Sequence, residues 1–448
     1  MSILNLSTLN HKDIAILGLG VENQALLDYL LKQKLESTFT ICDKRSLSSL
    51  GELYQKYKKH KNIYWRLEAD FNTDLHNFDY LFRAPGWPLH CSGIIAAQKL
   101  NKKIAVTSPM NFFFAHCPTK NIIGVTGTKG KGTTSSLIFK ILKEAQKKVY
   151  LGGNIGIAPI NFLNKIKKTD FVVLELSSFQ LEDLAYSPKI SVITNIYKEH
   201  LSPADPNNPN YHKSYADYIK AKLSIAIYQK AGNFLFLNEK SKKVLDQRKF
   251  NLGYGRKIYF TESTLPSRLV GNYNKENIAA AVAVAKLLKI KNSITEKAVK
   301  NFVGLEHRLE FVTEINGVKY FDNSFATTPE SSAMDLDSFS TDIILLAGGA
   351  DKGASFKAFA KNIKERVKFV LLFAGTGTKH LLAELRKINY PEKNIRIMHD
   401  MENAVKIAHT KAEIGDTVLL STGCASFGLF KNYKERGNLF QKYVKELK

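Results

Sequence analysis

A loop rich in glycine and lysine lies between an apolar run and a helical run, and it is the segment best suited to bind phosphate. It reads GVTGTKGKGTT over residues 124–134. Glycines let backbone N–H groups turn inward around an anion, and a helix N-terminus adds favourable partial charge. Lys131 is expected to reach the β- and γ-phosphates of a nucleotide. We therefore expect phosphate contacts from Gly127, Thr128, Lys129, Gly130, Lys131, Gly132, Thr133 and Thr134.

The loop departs twice from the strict P-loop pattern, GxxxxGK[ST]. Val125 stands where the first glycine belongs, and Gly132 follows the lysine in place of serine or threonine. A hydroxyl that binds Mg²⁺ is still expected just after that lysine, so we assign it to Thr133, with Thr134 as the alternative. A glycine-rich turn without a ligand is the competing interpretation. It is disfavoured because so many glycines and lysines after a buried strand have little structural use.

Polar residues beside other apolar runs extend this candidate site. Glu175 ends such a run, where open α/β sheets place ligand-binding groups, although a structural partner for a buried carboxylate is the alternative. His200 follows another apolar run. Lys222 lies in an amphipathic helical run, and composition alone predicts that its side chain is exposed. The planar guanidinium of Arg308 suits bidentate contacts with phosphate.

Apolar strand-like runs that alternate with helical runs must position these residues. The first such unit begins with DIAILGLG, the second with NIIGVTG, and the third follows Arg308. This alternation predicts an α/β fold with three domains in series, at residues 1–116, 117–306 and 307–448. We expect a Rossmann-like first domain, a central P-loop domain with a mostly parallel sheet, and a Rossmann-like third domain.

The bulk composition argues against several classes of protein. The chain has 448 residues and a formal net charge of +24, with lysines spread along its whole length. The sequence has no tight basic block beside aromatics, so solvated faces and a preference for polyanionic small molecules are favoured over nucleic-acid binding. We expect neither a membrane span nor a secretion signal. The four cysteines are far apart in the sequence, which fits a reducing cytoplasm.

The phosphate loop resembles that of the Mur ligase and folylpolyglutamate synthase superfamily. Four further stretches resemble the glutamate-adding Mur ligases in particular, and they occur in the family's order and spacing. They are GGNIG (152–156), LELSSFQLE (174–182), GLEHRLE (304–310) and CASFGLFKNYKERGNLF (424–440). They cover the central and C-terminal parts of the chain, and together they are far more specific than any single glycine motif.

The resemblance implies an ATP-dependent amide-bond ligase of peptidoglycan precursor synthesis, located in the cytoplasm. ATP would phosphorylate the carboxylate of UDP-N-acetylmuramoyl-alanine, and the amine of glutamate would then attack the acyl phosphate. Activation is needed because a carboxylate is a poor electrophile, and the developing charge requires Mg²⁺, two ions by the resemblance, and cationic side chains. We expect a monomer whose partners are these small-molecule substrates, and no nucleic acid.

Roles in catalysis and ATP binding follow from matching positions in the family. Catalytic roles are implied for Lys131, Glu175, His200, Lys222 and Arg308. The implied metal ligands are Thr133, Glu175, His200 and Lys222. Lys222 would act as a carbamate formed with CO₂, which requires a neutral amine. Beyond the loop, ATP contacts are implied for Asn274, Asn277, Arg308, Asp322 and Asn323. A helix N-cap is the alternative role for Asn274.

The two other substrates are assigned in the same way. Contacts to the UDP substrate are implied for Gly18, Gly20, Val21, Asp43, Lys44, Arg45, Pro85, Gly86 and Asn154. In this region Asn23 replaces the third glycine of GxGxxG, and Ala84 stands in a turn that resembles the family's Ser-Pro-Gly. Contacts to glutamate are implied for Thr327, Lys352, Ser426, Phe427 and Tyr433.

The segment YFDNSFATTP (320–329) departs from the family pattern, which resembles NDSKATN. Phe325 occupies the lysine position, and the altered order leaves either Asp322 or Asn323 to contact the ATP ribose. Lys352 or a bound cation could compensate for the missing lysine. The segment lies near the implied glutamate pocket, so an L-glutamate-adding variant stays open as the alternative. We favour D-glutamate.

Three further functions stay open from the sequence. A folylpolyglutamate synthase-like ligase fits the phosphate loop, although FKNYKERGN and the N-terminal layer disfavour it. An NAD-dependent dehydrogenase fits GLG followed by Asp43. A nucleic-acid-binding ATPase would explain the basic charge.

Overall fold

The computed structural model describes residues 4–201, 210–246, 250–351 and 353–447. These residues form two compact units. The first unit comprises the described parts of Met1–Ser263 and Glu276–Ala298, and the second those of Thr264–Lys275 and Val299–Lys448. The first unit contains two β-sheets and the second contains one.

The first sheet has five parallel strands in the order β3-β2-β1-β4-β5. Its strands are β1 (Asp13–Leu17), β2 (Thr38–Asp43), β3 (Ile63–Leu67), β4 (Tyr80–Arg83) and β5 (Ala105–Thr107). The accompanying helices are α1 (Leu6–Leu9), α2 (Val21–Lys32), α3 (Leu47–Leu50), α4 (Glu52–Tyr57), α5 (Ser92–Leu100) and α6 (Pro109–His116). This order places the ends of β1 and β4 side by side, which is where doubly wound sheets bind ligands.

The second sheet has six parallel strands in the order β11-β10-β9-β6-β8-β7. Its strands are β6 (Ile122–Thr126), β7 (Val149–Gly153), β8 (Phe171–Glu175), β9 (Ile190–Ile193), β10 (Phe234–Asn238) and β11 (Arg256–Phe260). The helices are α7 (Lys131–Glu144), α8 (Ser178–Leu181), α9 (Tyr215–Ile227), α10 (Glu239–Asp246), α11 (Asn272–Leu287) and α12 (Asn292–Lys300). The parallel sheet expected for this region is confirmed.

The two central strands of the second sheet, β6 and β9, are completely buried. Every residue of β6 and of β9 is buried, as continuous apolar runs in parallel strands should be. The loops after β6, β8 and β9 leave the sheet at the same edge because these three strands are parallel neighbours. Side chains from all three loops are therefore brought together there.

The third sheet has six strands in the order β12-β13-β17-β14-β15-β16. Its strands are β12 (Glu310–Ile315), β13 (Val318–Asp322), β14 (Ile343–Gly348), β15 (Val367–Phe373), β16 (Ile395–Met398) and β17 (Thr417–Leu420). The pair β12–β13 is antiparallel, and the other pairs are parallel. The helices are α13 (Pro329–Leu336), α14 (Lys357–Arg366), α15 (Thr376–Lys387), α16 (Met401–Lys411) and α17 (Tyr433–Lys445).

Short 3-10 helices complete the described chain, at Glu68–Asp70, Leu75–Asn77, Pro159–Lys165 and Glu392–Asn394. Within the described residues, every helix is too short or too polar to cross a lipid bilayer.

Candidate active site

The phosphate loop joins β6 to α7, and its backbone is shaped by glycine. Gly130 is the N-cap of α7 and has a φ of 79°, a backbone conformation that residues other than glycine rarely adopt. A Cβ atom at Gly130 would lie 2.0 Å from Oδ1 of Asn277, so Asn277 packs directly against the loop. The structure thus brings this predicted ATP-binding asparagine to the phosphate loop. Asn274 belongs to the second unit and lies in the first turn of α11, not at its cap.

The two candidate magnesium hydroxyls differ in their surroundings. Thr134 is completely buried, and its Oγ1 donates a hydrogen bond to Oδ1 of Asn277 at 3.4 Å. Thr133 is only partly buried. Thr134 is therefore engaged in holding the loop, and Thr133 is the better placed of the two for a ligand.

The amino groups of two lysines converge on the carbonyls at the start of the loop, and a third lies beside a carboxylate nearby. Nζ of Lys131 donates to the carbonyl oxygens of Gly127 at 3.0 Å and Thr128 at 3.1 Å. Nζ of Lys222 donates to the same Gly127 oxygen at 2.7 Å. Nζ of Lys129 lies 3.4 Å from a carboxylate oxygen of Glu199. The predicted catalytic lysines Lys131 and Lys222 thus converge on one end of the loop.

Lys222 is buried, so the exposure predicted from composition is wrong. It is 2% exposed, on the inner face of α9, with Nζ 4.6 Å from the ring centroid of Tyr218. Burial, followed by the charge of Lys131, lowers the pKa of Lys222 well below its ordinary value. Composition could not reveal this because the packing of α9, not its residue types, decides which face is buried. A neutral amine is the form that carbamylation requires.

Glu175 is the last residue of β8 and is 2% exposed. Its Oε1 accepts a hydrogen bond from Nδ2 of Asn154 at 2.9 Å. Its buried Oε2 has no hydrogen-bond partner among the described residues. A buried carboxylate oxygen without a hydrogen-bond donor carries a large desolvation cost, and a bound cation would offset that cost. The residues present therefore fit a divalent cation beside the phosphate loop.

His200 lies beyond β9, in a backbone conformation with φ of 57°. Its Nε2 is 3.7 Å from Oε2 of Glu199, and its ring centroid is 5.1 Å from that of Phe179. Burial, together with the nearby lysines, lowers the pKa of His200 in spite of Glu199. The ring therefore favours the neutral form that binds metals.

Two residues near the loop were missed by the sequence analysis. Tyr218 is buried, and its hydroxyl is 2.8 Å from Oγ1 of Thr128. Its position four residues before Lys222 places both side chains on one face of α9, which was the available signal. Glu199 lies next to His200. Burial alone would raise the pKa of Glu199, but Lys129 and His200 lower it overall.

A cavity of about 1000 Å³ lies within the first unit. It collects all nine residues that were predicted to contact a UDP substrate, although they come from separate parts of the chain. They are Gly18, Gly20, Val21, Asp43, Lys44, Arg45, Pro85, Gly86 and Asn154. The carboxylate of Asp43 accepts from the backbone N–H of Leu19 and from Arg45, each at 2.8 Å in its closest contact. These bonds fix the loops after β1 and β2.

Asn23, in place of the third glycine of GxGxxG, stabilises the turn that lines this cavity. It is completely buried, and its Nδ2 lies within 3.1 Å of the carbonyl oxygens of Leu17, Gly18 and Phe82. The asparagine thereby ties the end of β1 to the end of β4. The missing glycine is therefore replaced by a hydrogen-bonding side chain.

Arg83 is a further residue that the sequence analysis missed. It is fully buried at the end of β4, and one terminal nitrogen donates to the carbonyl oxygens of Pro85 at 3.3 Å and Trp87 at 2.8 Å. Its Nε donates to Asp183 at 3.1 Å. Arg83 thus shapes the Ala-Pro-Gly turn and joins it to the segment after α8.

The second unit places Arg308 against an aromatic ring. The guanidinium carbon lies 3.7 Å from the ring centroid of Phe325, whose ring meets that of Tyr433 at 5.2 Å. The ribose contact predicted for Asp322 is disfavoured, because Asp322 is completely buried. Its oxygens accept hydrogen bonds from His307 at 2.7 Å, Ser324 at 2.8 Å and Gln441 at 2.9 Å.

Asn323 is nearly buried, and its Nδ2 donates to Asp335 at 2.5 Å. A role for Asn323 at the ribose stays a prediction. His307, Glu310 and Asp322 have ligand atoms within 4.8 Å of one another, as a metal site would. The amide of Gln441 donates to both carboxylates at 2.9 Å, so this cluster is a hydrogen-bonded support for the Arg308 turn.

The predicted glutamate-binding residues follow strands of the third sheet. Thr327 lies after β13, Ser426 and the exposed Phe427 lie after β17, and Tyr433 begins α17. A bridge between Ala350 and Ala425 places the loop after β14 beside the loop after β17. Lys352 lies outside the described residues.

Arg436 was not predicted, yet it organises this region. It is 1% exposed and donates through Nε to Oγ of Ser324 at 2.9 Å. It also donates to the carbonyl oxygens of Ser324 at 2.8 Å and Cys424 at 3.2 Å. These bonds hold the segments after β13 and β17 together.

A parallel sheet with a phosphate loop, followed along the chain by a further sheet with its own helices, defines a multi-sheet nucleotide-binding α/β protein. The chain belongs to the Mur ligase family. The family models described as "Mur ligase middle domain" and "Mur ligase, glutamate ligase domain" match residues 125–261 and 307–424.

Curated relatives match nearly the whole chain. It is 36% identical to the UDP-N-acetylmuramoylalanine--D-glutamate ligase of Acetivibrio thermocellus, with 98% of this chain and 97% of the relative covered. It is 35% identical to the protein of the same name from Clostridium tetani, again with 98% and 97% covered.

Solved structures share the fold. MurF ligase from Thermotoga maritima in complex with ADP has a TM-score of 0.60 and 17% identity, covering 99% of this chain and 97% of that one. The UDP-N-acetylmuramate-alanine ligase MurC of the same organism has a TM-score of 0.57 and 16% identity, covering 98% and 100%.

Proposed function

We propose that the chain is an ATP-dependent ligase that joins D-glutamate to UDP-N-acetylmuramoyl-L-alanine in peptidoglycan precursor synthesis. The names of its full-length relatives support the substrate and the amino acid. The observation that carries the proposal is the hydrogen bond between Asn154, which lines the UDP cavity, and Glu175, which lies beside the phosphate loop. It connects the two places where an acid substrate and ATP would have to meet.

The large cavity would bind the UDP end of the acid substrate. Its glycine-lined loops allow the backbone to approach a diphosphate closely, and Lys44 and Arg45 contribute positive charge. Asn154, which also lines the cavity, would contact the muramoyl group. The substrate's carboxylate would then point towards the phosphate loop.

ATP would be held by the backbone N–H groups of residues 127–132 and by Lys131, with Asn277 behind the loop. Lys131 contacts loop carbonyls in this structure and would turn to the β- and γ-phosphates. Transfer of the γ-phosphoryl group to the carboxylate forms the acyl phosphate and releases ADP. Attack by the glutamate amine then forms the amide and releases phosphate, so the bonds balance without a further reactant.

Magnesium would be held by the Thr133 hydroxyl, by Glu175 and by His200, with Lys222 contributing as a carbamate. The unpartnered Oε2 of Glu175 and the burial of Lys222 support this set. The metal would supply positive charge to phosphate oxygens. Lys131 would add to that charge, and Tyr218 would fix the position of Thr128 in the loop.

Glutamate would bind in the third sheet's region through Thr327, Lys352, Ser426, Phe427 and Tyr433. Two carboxylates on glutamate explain the need for a cation and several hydroxyl donors. Arg308 would contact ATP phosphates. We further propose the three-domain layout with boundaries 1–116, 117–306 and 307–448, which the three separate sheets support.

The test is phosphate release from ATP with UDP-N-acetylmuramoyl-L-alanine, comparing D-glutamate with L-glutamate. Turnover with D-glutamate that needs all three substrates supports the proposal. Turnover with L-glutamate alone would retain the chemistry and reject the stereochemistry. Turnover with neither amino acid, together with turnover on a folate and glutamate, would reject the proposed substrate.

A further inference from the structure

The backbone of His200 is held by the backbone of His212, within the first unit. The N–H of His212 donates to the carbonyl oxygen of His200 at 2.8 Å. His200 has a φ of 57°, a left-handed conformation that is uncommon for residues other than glycine and persists where the surroundings hold it. The hydrogen bond from His212 therefore supports the turn from which the ring of His200 extends.

Two aromatic side chains, those of Phe179 and His212, form a contiguous row with the ring of His200. The rings of Phe179 and His212 are almost parallel, with an interplanar angle of 11° and a centroid distance of 4.9 Å. The ring of Phe179 then meets that of His200 at a centroid distance of 5.1 Å. Both supporting side chains are buried, so the ring of His200 packs against a fixed surface.

Tyr218 contacts the same row of rings from helix α9. Its ring centroid is 5.4 Å from that of His212 and 6.4 Å from that of His200. Nζ of Lys222 lies over the ring of Tyr218 at 4.6 Å from its centroid. The row of rings is therefore packed against the same helix that carries Lys222.

The segment that carries His212 is also attached to the cavity of the first unit. Asn210 is buried, and its Nδ2 donates to the carbonyl oxygen of Pro85 at 2.8 Å. Pro85 belongs to the Ala-Pro-Gly turn that lines the cavity. Residues 210–212 therefore connect this turn with the backbone of His200, and His212 is fixed on both sides.

The ring of His212, rather than its nitrogen atoms, makes the contacts towards His200. Its Nε2 is buried and has no hydrogen-bond partner among the described residues. Its Nδ1 lies 3.8 Å from Oε1 of Glu182, which is beyond hydrogen-bond distance. Stacking on Phe179 is thus the interaction through which this side chain acts, and another aromatic ring should be able to replace it.

We propose that Phe179 and His212 are positioning residues that hold the ring of His200 in the orientation required to bind a divalent cation. This inference rests on the proposed role of His200 as a metal ligand. Residues around a metal ligand fix its orientation before the ion arrives, and this increases the affinity for the ion. Without the two supporting rings, the side chain of His200 would lose more rotamer freedom when the ion binds.

Variants of the supporting rings test the inference, with Mn²⁺ as the probe ion. Phe179→Leu and His212→Gln each remove a ring, whereas His212→Phe retains one. Phe114→Leu is the matched control, because it removes a ring from a separate stacked pair, with Tyr186, at a centroid distance of 5.9 Å and an angle of 7°. Mn²⁺ affinity is measured by electron paramagnetic resonance titration without substrates. The histidine nitrogen bound to Mn²⁺ is detected by electron spin echo envelope modulation.

We expect Phe179→Leu and His212→Gln to weaken Mn²⁺ binding about tenfold and to reduce the histidine nitrogen signal. His212→Phe and Phe114→Leu should stay within about twofold of the wild type in both measurements. Thermal unfolding of each variant shows whether the fold is retained. A merely structural role would lower thermal stability and leave the nitrogen signal unchanged.

His200→Ala shows whether the supporting rings act through His200. It should abolish the histidine nitrogen signal, and in its background Phe179→Leu should cause no further loss of Mn²⁺ affinity. A wild-type affinity and signal in Phe179→Leu overturns the inference, as does an equal loss of affinity in His212→Phe and His212→Gln. A wild-type protein without a histidine nitrogen signal overturns it too. Because Mn²⁺ binding is measured without substrates, failure of the proposed D-glutamate reaction would appear in phosphate release alone.

Discussion

Lys222 donates a hydrogen bond from Nζ to the carbonyl oxygen of Gly127 at 2.7 Å, from a side chain that is almost completely buried. Removing an ammonium group from water is costly, and Lys131 lies close enough to increase that cost. A position that disfavours its own charge is common at functional sites. The buried position of Lys222 against the phosphate loop is therefore better explained by a role in catalysis than by a contribution to the stability of the fold.

Replacing Lys222 by methionine should separate its effect on stability from its effect on catalysis. The folded-state pKa lies below the unfolded value, so the lysine reduces stability at neutral pH, and the loss recedes as the pH rises towards 10.5. Lys222→Met is expected to raise the free energy of unfolding at pH 7 and to lower turnover about 100-fold or more. Denaturant unfolding and phosphate release measure the two effects. Lys220→Met, on the exposed side of the same helix, is the control, and a fully active Lys222→Met would contradict the role.

The carbamate predicted on Lys222 has a direct consequence for CO₂. Carbamylation adds CO₂ to a neutral amine, so enzyme depleted of CO₂ should lose most of its activity and regain it on addition of bicarbonate. A new ¹³C resonance should appear with ¹³C-labelled bicarbonate and be absent from Lys222→Met. Activity that is indifferent to bicarbonate, with no such resonance, would exclude the carbamate.

The sequence predicted the fold well where strands are wholly apolar. The strand β6 is buried along its whole length, and its apolar run was recognised at the start of the second unit. β8 is buried except at its first residue, and Glu175 was recognised as the end of its apolar run. The edge strands β12 and β16 were not recognised, because β12 has no fully buried residue and half of β16 is exposed. An edge strand needs one covered face only, so its pattern is weak in the sequence.

Only part of the candidate site was predicted from the sequence, because some of its residues depend on contacts that form only in the folded chain. Motif residues such as Gly130 and Asn154 were found because the chemistry of binding fixes their types. Arg83 was missed, since its partner Asp183 is a hundred residues away and only the folded chain brings them together. Burial of Lys222 likewise depends on how α9 packs, which residue types alone do not determine.

The neighbouring threonines of α7 provide a matched pair. Thr133→Val should lower turnover about 100-fold and leave stability within about 0.5 kcal/mol, because its side chain is partly exposed. Thr134→Val should instead cost about 1–2 kcal/mol of stability, because it removes the buried hydrogen bond to Asn277. Phosphate release and denaturant unfolding distinguish the two. Selective loss of activity in Thr134→Val, with stability retained, would transfer the magnesium hydroxyl to Thr134.

Glu22 lines the UDP cavity and should make stability depend on pH. Burial raises the pKa of Glu22 to about 7, and the charge of Asp183 adds to this increase. The hydrogen bond from Gln180 and the charge of Arg83 act in the opposite direction. The folded chain therefore holds a proton that the unfolded chain releases above pH 4.5, and stability falls between pH 4.5 and 7 by about 3 kcal/mol. Glu22→Gln should remove this decrease, as measured by denaturant unfolding at pH 5 and pH 8. Glu365→Gln on the surface is the control, and equal pH dependence in both variants would refute the assignment.

Asn154 provides the most direct test of the connection between the two substrate sites. Its amide orients Oε1 of Glu175. Replacing a residue that hydrogen-bonds to a metal ligand typically lowers metal affinity about 10- to 100-fold. Asn154→Ala should therefore raise the Mg²⁺ concentration for half-maximal turnover about tenfold, and it should also raise the KM for the UDP substrate because Asn154 lines that cavity. Asn161→Ala, at an exposed position in the following 3-10 helix, is the matched control. A wild-type magnesium dependence in Asn154→Ala would mean that the bond to Glu175 does not support a metal site, and that the UDP cavity and the phosphate loop are connected in some other way.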